Sequence, residues 1–167
     1  MRLFELFTKV ADWEWNYHNS EYGIATFKIE DYYTVKIEEE AIRYYLTDPG
    51  AKRSSEFFDL AKRIEENDEP LYAIEFDISN EEDSASDSDK LSDPYGITGT
   101  GNQFLVFTTV MDIMNDYKRS YNVDWWVFSA TESSRQKLYS RMAKRFSGEY
   151  VSYTSSIDGG IVYLVKA

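Results

Sequence analysis

Apolar residues recur along this chain with the spacing of strands and of amphipathic helices. Leu71–Ile78 alternates clearly, with Tyr72, Ile74, Phe76 and Ile78 on one face and Glu75 and Asp77 on the other. Val123–Ala130 instead contains a continuous apolar run, Trp125-Trp126-Val127-Phe128, which indicates an inner strand covered on both sides. The chain contains five further strand-like runs: Trp13–Tyr17, Tyr22–Ile29, Tyr32–Glu38, Glu149–Thr154 and Ile161–Lys166. Short polar segments separate the first three, and the hairpin-forming pair Asp158-Gly159 lies between the last two.

Other segments have the helical period. The residues from Gln103 to Ser120 form two adjacent apolar rows and one polar stripe, which predicts a helix lying flat on a sheet. Ser133 and Gln136 have capping-box spacing and predict the start of a second helix. Asp48-Pro49-Gly50 predicts a turn. Two shorter helices are predicted from the apolar sets Leu3, Leu6, Phe7 and Val10, and Phe57, Leu60, Ala61 and Ile64.

The order of these elements defines the fold class. Strands, helices, a strand, a long helix, a strand, a helix and a hairpin follow one another, which predicts an α+β protein with a mixed, mainly antiparallel sheet and helices on its faces. A length of 167 residues predicts one domain spanning residues 1–167. Residues 79–93 are acidic and almost without apolar side chains, and predict a mobile surface loop in that domain.

Charge and composition exclude several functions. The net charge is −12, and the first 101 residues contain 24 Asp and Glu against 10 Lys and Arg. Such a surface repels nucleic acid, except along the basic residues of the predicted second helix. The simpler interpretation of those basic residues is a solvent-exposed helix face. There is no cysteine and one histidine, His18, which exclude thiolate and multi-histidine metal sites. No apolar run is long enough to span a membrane and no secretion signal is present, so the expectation is a soluble, intracellular protein.

The residues with the clearest chemical potential lie in a glycine loop before the long helix. Gly96-Ile97-Thr98-Gly99-Thr100-Gly101 leads into Asn102 and Gln103. Bare backbone and the first amides of a helix suit a pyrophosphate, so Gly99, Thr100, Gly101, Asn102 and Gln103 are candidate cofactor-binding residues. The alternative is a glycine-rich turn with Asn102 as the N-cap. The loop lacks the lysine of a P-loop and the glycine spacing of a dinucleotide site.

The loop and the order of elements resemble the GNAT (general N-acetyltransferase) superfamily. Its acetyl-CoA pyrophosphate loop, Q/R-x-x-G-x-G/A, opens the helix after the fourth strand, and Gly99 and Gly101 match its glycines, whereas Gly96 replaces the Gln or Arg. Leu138-Tyr139 resembles the Leu-Tyr of a later helix, and the resemblance implies that Tyr139 would protonate the CoA thiolate. LFELF, ITGTGNQFLVFTTV and FSATESSRQKLYSRMAKRF together resemble small bacteriophage-encoded GNAT-like proteins, which mostly have no assigned activity.

Two functions from different classes follow. The first is a non-catalytic bacteriophage protein with a degenerate cofactor site, which binds a phage or host protein through its acidic part, in the virion or in the host cytoplasm. Nucleic-acid mimicry is one version of it. The second is an acetyl-CoA-dependent N-acetyltransferase acting on an amine, with Glu75 or Asp77 as general base and Tyr139 as general acid. The sequence leaves the oligomeric state open and favours the first function slightly.

Overall fold

The described part of the chain contains seven strands and four helices whose first and last residues are defined. The computed structural model describes residues 9–79, 102–130, 136, 139–141, 143–144 and 150–167. The strands are β1 Trp13–His18, β2 Tyr22–Ile29, β3 Asp31–Glu39, β4 Leu71–Ser79, β5 Trp125–Ala130, β6 Tyr150–Thr154 and β7 Ile161–Lys166. They form one mixed, mostly antiparallel sheet in the order β1-β2-β3-β4-β5-β7-β6.

The helices occur in the two segments that precede and follow β4. They are α1 Arg43–Leu46, α2 Pro49–Arg53, α3 Ser55–Glu66 and α4 Asn102–Ser120. Residues 136, 139–141 and 143–144, between β5 and β6, are also helical. The predicted α+β class with a mixed, mainly antiparallel sheet is therefore confirmed.

The chain divides into two compact units. The first contains Met1–Ile37 and Glu75–Tyr121, and the second contains Glu38–Ile74 and Asn122–Ala167. The sequence-based interpretation of residues 1–167 as one domain stays a prediction.

In the first unit, two tryptophans connect β1 to α4. The indole N–H of Trp13 donates to a carboxylate oxygen of Asp112 at 2.8 Å, and that of Trp15 donates to Asp116 at 2.9 Å. β1 pairs antiparallel with β2, with an irregular register between Trp15 and Tyr17. Two carboxylates on α4, one turn apart, thus satisfy the polar atoms of two aromatic side chains that are partly buried.

In the second unit, β5 is an inner strand. It pairs parallel with β4, where Leu71 is opposite Trp125, and antiparallel with β7, where Trp125 is opposite Lys166. The four residues from Trp125 to Phe128 are all buried, which confirms the prediction made from their unbroken apolar run.

The core of the second unit lies between α3 and this part of the sheet. Ser54 caps α3, because its hydroxyl oxygen accepts from the Phe57 amide at 3.4 Å. The predicted stripe of α3 is confirmed, with Phe57, Ala61 and Ile64 buried and Leu60 half-buried. The buried residues of this cluster are Ile42, Ala51, Phe57, Ala61, Ile64, Leu71, Trp125, Val127, Tyr153, Val162 and Leu164.

Some sequence predictions need correction, and others lie outside the described residues. Asp48-Pro49-Gly50 is the start of helix α2 rather than a turn between elements. Of the predicted N-terminal helix, Val10 is exposed and not helical, while Leu3, Leu6 and Phe7 lie outside the described residues. Residues 80–93 of the predicted mobile loop and the predicted capping Ser133 also lie outside them.

Candidate functional site

The predicted cofactor-binding residues lie at and before the start of α4. Asn102 and Gln103 are the first two residues of that helix, which begins one residue earlier than the sequence predicted. Gly99, Thr100 and Gly101 lie outside the described residues. A helix start directly after the glycine loop is the setting in which unpaired amides suit an anion, and the role of these five residues stays a prediction.

Tyr139, the predicted general acid, is a member of an aromatic cluster in the second unit. It is buried, and its ring centroid lies 5.1 Å from that of Phe128 and 6.5 Å from that of Tyr163. The adjacent Ser140 hydroxyl is 3.0 Å from the Tyr163 hydroxyl, which in turn donates to the Gln136 carbonyl at 3.1 Å. These contacts attach the helical segment to β7, so the tyrosine has a packing role whatever its chemistry.

Glu75, the predicted general base, is exposed on β4. Its neighbours Ile74 and Phe76 are buried, so the predicted alternation of this strand is confirmed. Glu75 belongs to the first unit and Tyr139 to the second. Their predicted partnership in acid–base catalysis stays a prediction.

The second unit contains a groove of about 760 Å³, which we call the acidic groove. Its walls come from the end of β3, the start of α1, the end of α3 and the turn into β4. The Glu40 amide donates to the Leu71 carbonyl at 2.9 Å, and this bond joins two of those segments. The lining residues are Glu38, Glu39, Glu40, Ala41, Ile42, Arg43, Tyr44, Ile64, Glu65, Asp68, Glu69, Pro70 and Leu71.

The turn after α3 positions two of the groove's carboxylates. Asp68 has a φ of 51°, in the left-handed region, and the Glu69 amide donates to the Ile64 carbonyl at 3.1 Å. Aspartate tolerates this conformation better than most residues do. The turn therefore reverses the chain at the end of α3 and brings Asp68 and Glu69 to the groove.

The electrostatic character of the acidic groove is strongly negative. Six carboxylate side chains line it against one guanidinium, that of Arg43. The Oε2 atom of Glu69 is buried and has no hydrogen-bond partner among the described residues. A buried acceptor without a donor is costly, by about 1–3 kcal/mol. The groove thus combines mutual repulsion of like charges with an unsatisfied acceptor, and both are relieved by a cation.

A second concavity of the same unit, about 280 Å³ in volume, lies beside the β6–β7 hairpin, and we call it the tyrosine pocket. It shares Glu40 and Tyr44 with the acidic groove. Its lining residues are Glu40, Tyr44, Tyr45, Asp48, Ser129, Tyr153, Ser155, Ile157, Asp158, Gly160 and Val162.

Asp48 holds one wall of the tyrosine pocket together. Its side chain is buried, and it accepts from the Gly50 amide at 2.8 Å, the Ser155 hydroxyl at 2.8 Å and the Ser156 amide at 3.2 Å. Burial alone would raise the pKa of Asp48, but these hydrogen bonds outweigh it and lower the pKa below the ordinary value. The carboxylate is therefore charged at neutral pH.

Tyr153 lines the tyrosine pocket together with Asp48. Burial raises its pKa, and the charges of Asp48 and Asp158 raise it further, so the hydroxyl stays protonated at neutral pH. Its ring packs edge-on against Phe57 with centroids 4.5 Å apart. The pocket is consequently attached to the core cluster through Tyr153.

Sequence reasoning found the acidic part of the chain but neither concavity. The sequence shows two acidic segments, Glu38-Glu39-Glu40 and Glu65–Glu69. No local pattern in the sequence indicated that these two segments line one groove. Asp48 was interpreted as a turn residue, and its contacts with Ser155 and Ser156 were missed.

No protein-family model, no curated protein and no solved structure matches this chain. Among the described residues, no helix has the length and apolar character needed to cross a membrane. Within the same residues, no group of three or more His, Cys, Asp or Glu side chains is arranged to hold a metal ion.

Proposed function

We propose that this chain is a GNAT-like bacteriophage protein that acts by protein binding, as a virion component or as a modulator of a host factor. The acidic groove binds a lysine- or arginine-rich segment of the partner. The order of elements supports the GNAT-like fold, because α4 follows the fourth strand and leads to a parallel strand, β5. The binding role is supported by one observation above all, the six carboxylates that line the groove.

The arrangement of these charges favours an extended basic partner. Carboxylates from residues 38–40, from the end of α3 and from the turn after it line a single groove. A segment with several positive side chains meets several carboxylates at once, which relieves their mutual repulsion and steers the encounter. Because exposed charges are screened by salt, the affinity should fall as the ionic strength rises.

The buried oxygen of Glu69 adds a specific requirement. It lacks a hydrogen-bond partner among the described residues, and the ammonium group of lysine and the guanidinium group of arginine carry several donors. A charge-assisted hydrogen bond to this atom would replace an unsatisfied acceptor by one of the stronger classes of hydrogen bond. Among the residues of the acidic groove, Glu69 is therefore the one with which a basic side chain should form the most stabilising hydrogen bond.

The groove can be tested with variants that remove charge without changing shape. We expect Glu39→Gln/Glu65→Gln/Asp68→Asn to weaken binding of a fluorescent lysine decapeptide at least about threefold, because each exposed ion pair contributes about 0.2–1 kcal/mol. All three residues are exposed, so the fold should tolerate the changes. Fluorescence anisotropy at low and at physiological salt measures the affinity.

A matched control separates the groove from the overall charge of the protein. Glu21→Gln/Glu56→Gln/Asp59→Asn changes the net charge equally, at exposed positions that do not line the groove. We expect its affinity to stay within about twofold of wild type at physiological salt. Equal weakening in the two triple variants would refute the groove as the binding site.

Affinity capture from infected host cells should likewise retain a partner on wild type and control and lose it on the groove variant.

The alternative function is an acetyl-CoA-dependent N-acetyltransferase. It is favoured by the start of α4 at Asn102, directly after the glycine loop, where the resemblance to the family expects a pyrophosphate. Gly96 in place of Gln or Arg weakens it. Fold-level likeness does not establish the chemistry.

Acetyl-CoA distinguishes the two functions. Our proposal predicts that millimolar acetyl-CoA leaves the melting temperature unchanged in a thermal-shift titration. An active cofactor site saturated at 100 times its Kd would instead stabilise the protein by about 2.7 kcal/mol. Such a stabilisation, abolished by Gly101→Val, would establish the acetyltransferase and displace the non-catalytic function.

A further inference from the structure

The tyrosine pocket combines aromatic rings with negative charge. Tyr44, Tyr45 and Tyr153 contribute three rings, and Glu40, Asp48 and Asp158 contribute three carboxylates. None of the described residues that line it is a lysine, an arginine or a histidine. Aromatic faces and carboxylates both attract cations, and neither attracts an anion.

The negative charge of this pocket is fixed by the fold. The hydrogen bonds to Asp48 come from two backbone amides and one hydroxyl, so they hold the carboxylate in place without neutralising it. The Asp158 carboxylate in turn accepts from the Gly160 amide at 2.9 Å. The raised pKa of Tyr153 is consistent with the negative field of both aspartates.

One tyrosine ring of this pocket, that of Tyr44, already contacts a cation of the chain itself. The guanidinium carbon of Arg43 lies 6.0 Å from the centroid of the Tyr44 ring, at the outer limit of a cation–π contact. Tyr44 is 63% exposed, so most of its side chain remains accessible to a ligand. Accessible aromatic faces are the feature by which proteins recognise quaternary ammonium groups, and Tyr44 lines the same pocket as Asp48 and Asp158.

We infer that the tyrosine pocket binds an organic ammonium group, such as a quaternary ammonium head or a lysine-type amine. The carboxylates supply charge attraction and the tyrosine rings supply cation–π contacts. A volume of about 280 Å³ lies just below the range of about 300–1,000 Å³ that drug-sized ligands occupy, which suits a head group and excludes a nucleotide. The inference does not depend on the proposed function, because the pocket shares only Glu40 and Tyr44 with the acidic groove, and Asp48 and Asp158 line the pocket alone.

Choline and its neutral isostere 3,3-dimethyl-1-butanol test this inference directly. The two molecules share a shape and differ in charge. We expect choline, and not the isostere, to shift the backbone amide resonances of Ser156 and Gly160 in a saturable NMR titration, because these amides donate to Asp48 and Asp158. Sodium and magnesium chloride at equal ionic strength should leave them unchanged.

Matched variants assign the effect to the pocket. Tyr44→Ala should weaken choline binding about two- to fivefold, as expected for one exposed cation–π contact, and Tyr44→Phe should preserve it. Asp158→Asn should also weaken it, while its side-chain oxygen can still accept from Gly160. Tyr17→Ala, at an exposed tyrosine of the other unit, serves as the control.

Three outcomes would overturn the inference. They are an equal response to the neutral isostere, a response reproduced by magnesium chloride, and choline binding that survives both Tyr44→Ala and Asp158→Asn. The acidic-groove variant changes Glu39, Glu65 and Asp68, none of which lines the tyrosine pocket. Failure of one proposal therefore leaves the other to be judged on its own experiment.

Discussion

Asp48→Ala is expected to lower the free energy of unfolding by about 3 kcal/mol. The substitution removes an acceptor for three donors, the amides of Gly50 and Ser156 and the hydroxyl of Ser155. Hydrogen bonds to a charged group contribute about 1.5–3 kcal/mol each, and the relief of burying a carboxylate offsets part of that sum. Urea denaturation followed by far-UV circular dichroism measures the change.

The size of this effect follows from the position of Asp48 between two elements. It is the N-cap of α2, with Pro49 at the first helical position, and its carboxylate faces the positive end of the helix. It also accepts from the loop that joins β6 to β7. Loss of the side chain thus removes hydrogen bonds both from the start of α2 and from the loop of the β6–β7 hairpin.

Asp48→Asn separates hydrogen bonding from charge. The amide oxygen can accept from Gly50 and Ser156, and the amide nitrogen can donate to the Ser155 hydroxyl. We therefore expect a loss of about 1 kcal/mol, well below that of the alanine variant. Equal losses in the two variants would contradict the assignment of the effect to these hydrogen bonds.

The same carboxylate predicts the direction of a pH dependence. The folded pKa of Asp48 is lowered from an ordinary value of 3.8. A lowered pKa means that its stabilisation is fully present above the unfolded pKa and is lost as the pH falls through the folded pKa. The stability difference between wild type and Asp48→Asn should hold from neutral pH to just above 3.8 and shrink below it. Asp59→Asn, at an exposed aspartate of α3, is measured in parallel as the control for the loss of one surface carboxylate.

Local patterns in the sequence predicted most of the strands. β2 and β7 have the bounds that the hydrophobic pattern gave, Tyr22–Ile29 and Ile161–Lys166. The alternating pattern of β4 predicted one buried face, and the unbroken apolar run of β5 predicted burial on both faces, because a strand's side chains alternate between two faces. These features depend on residues close together in the chain, so one sequence suffices to predict them.

Contacts between distant residues were beyond that reasoning. The donors to Asp48 from Ser155 and Ser156 are more than 100 residues away, and the acceptors for Trp13 and Trp15 are on α4. Even the local signal was ambiguous, since Asp-Pro-Gly is common both in turns and at helix starts. The acidic groove was missed for the same reason, because residues 38–40 and 65–71 meet only in the folded chain.

Gly50→Ala is the second substitution with a large expected effect, a loss of about 2 kcal/mol. A Cβ atom at this position would lie 2.2 Å from the backbone oxygen of Thr154 and 3.2 Å from Oδ1 of Asp48. Alanine would gain about 1 kcal/mol over glycine in an open helix, but overpacking against a backbone atom, which cannot rotate away, costs about 3 kcal/mol. For a chain of 167 residues the net loss corresponds to a decrease in melting temperature of roughly 4–8 °C.

Gly159 provides the matched comparison, because its constraint is conformational and not steric. Its φ is 73°, and a Cβ atom there would meet nothing within 4 Å. Gly159→Ala should therefore cost about 1 kcal/mol, and Gly159→Asn should recover most of this loss because asparagine tolerates the left-handed region. At Gly50, asparagine should be no better than alanine, since both add the Cβ that collides with Thr154. Differential scanning calorimetry of the four variants measures the contrast, and recovery by Gly50→Asn would contradict the close approach of α2 to β6.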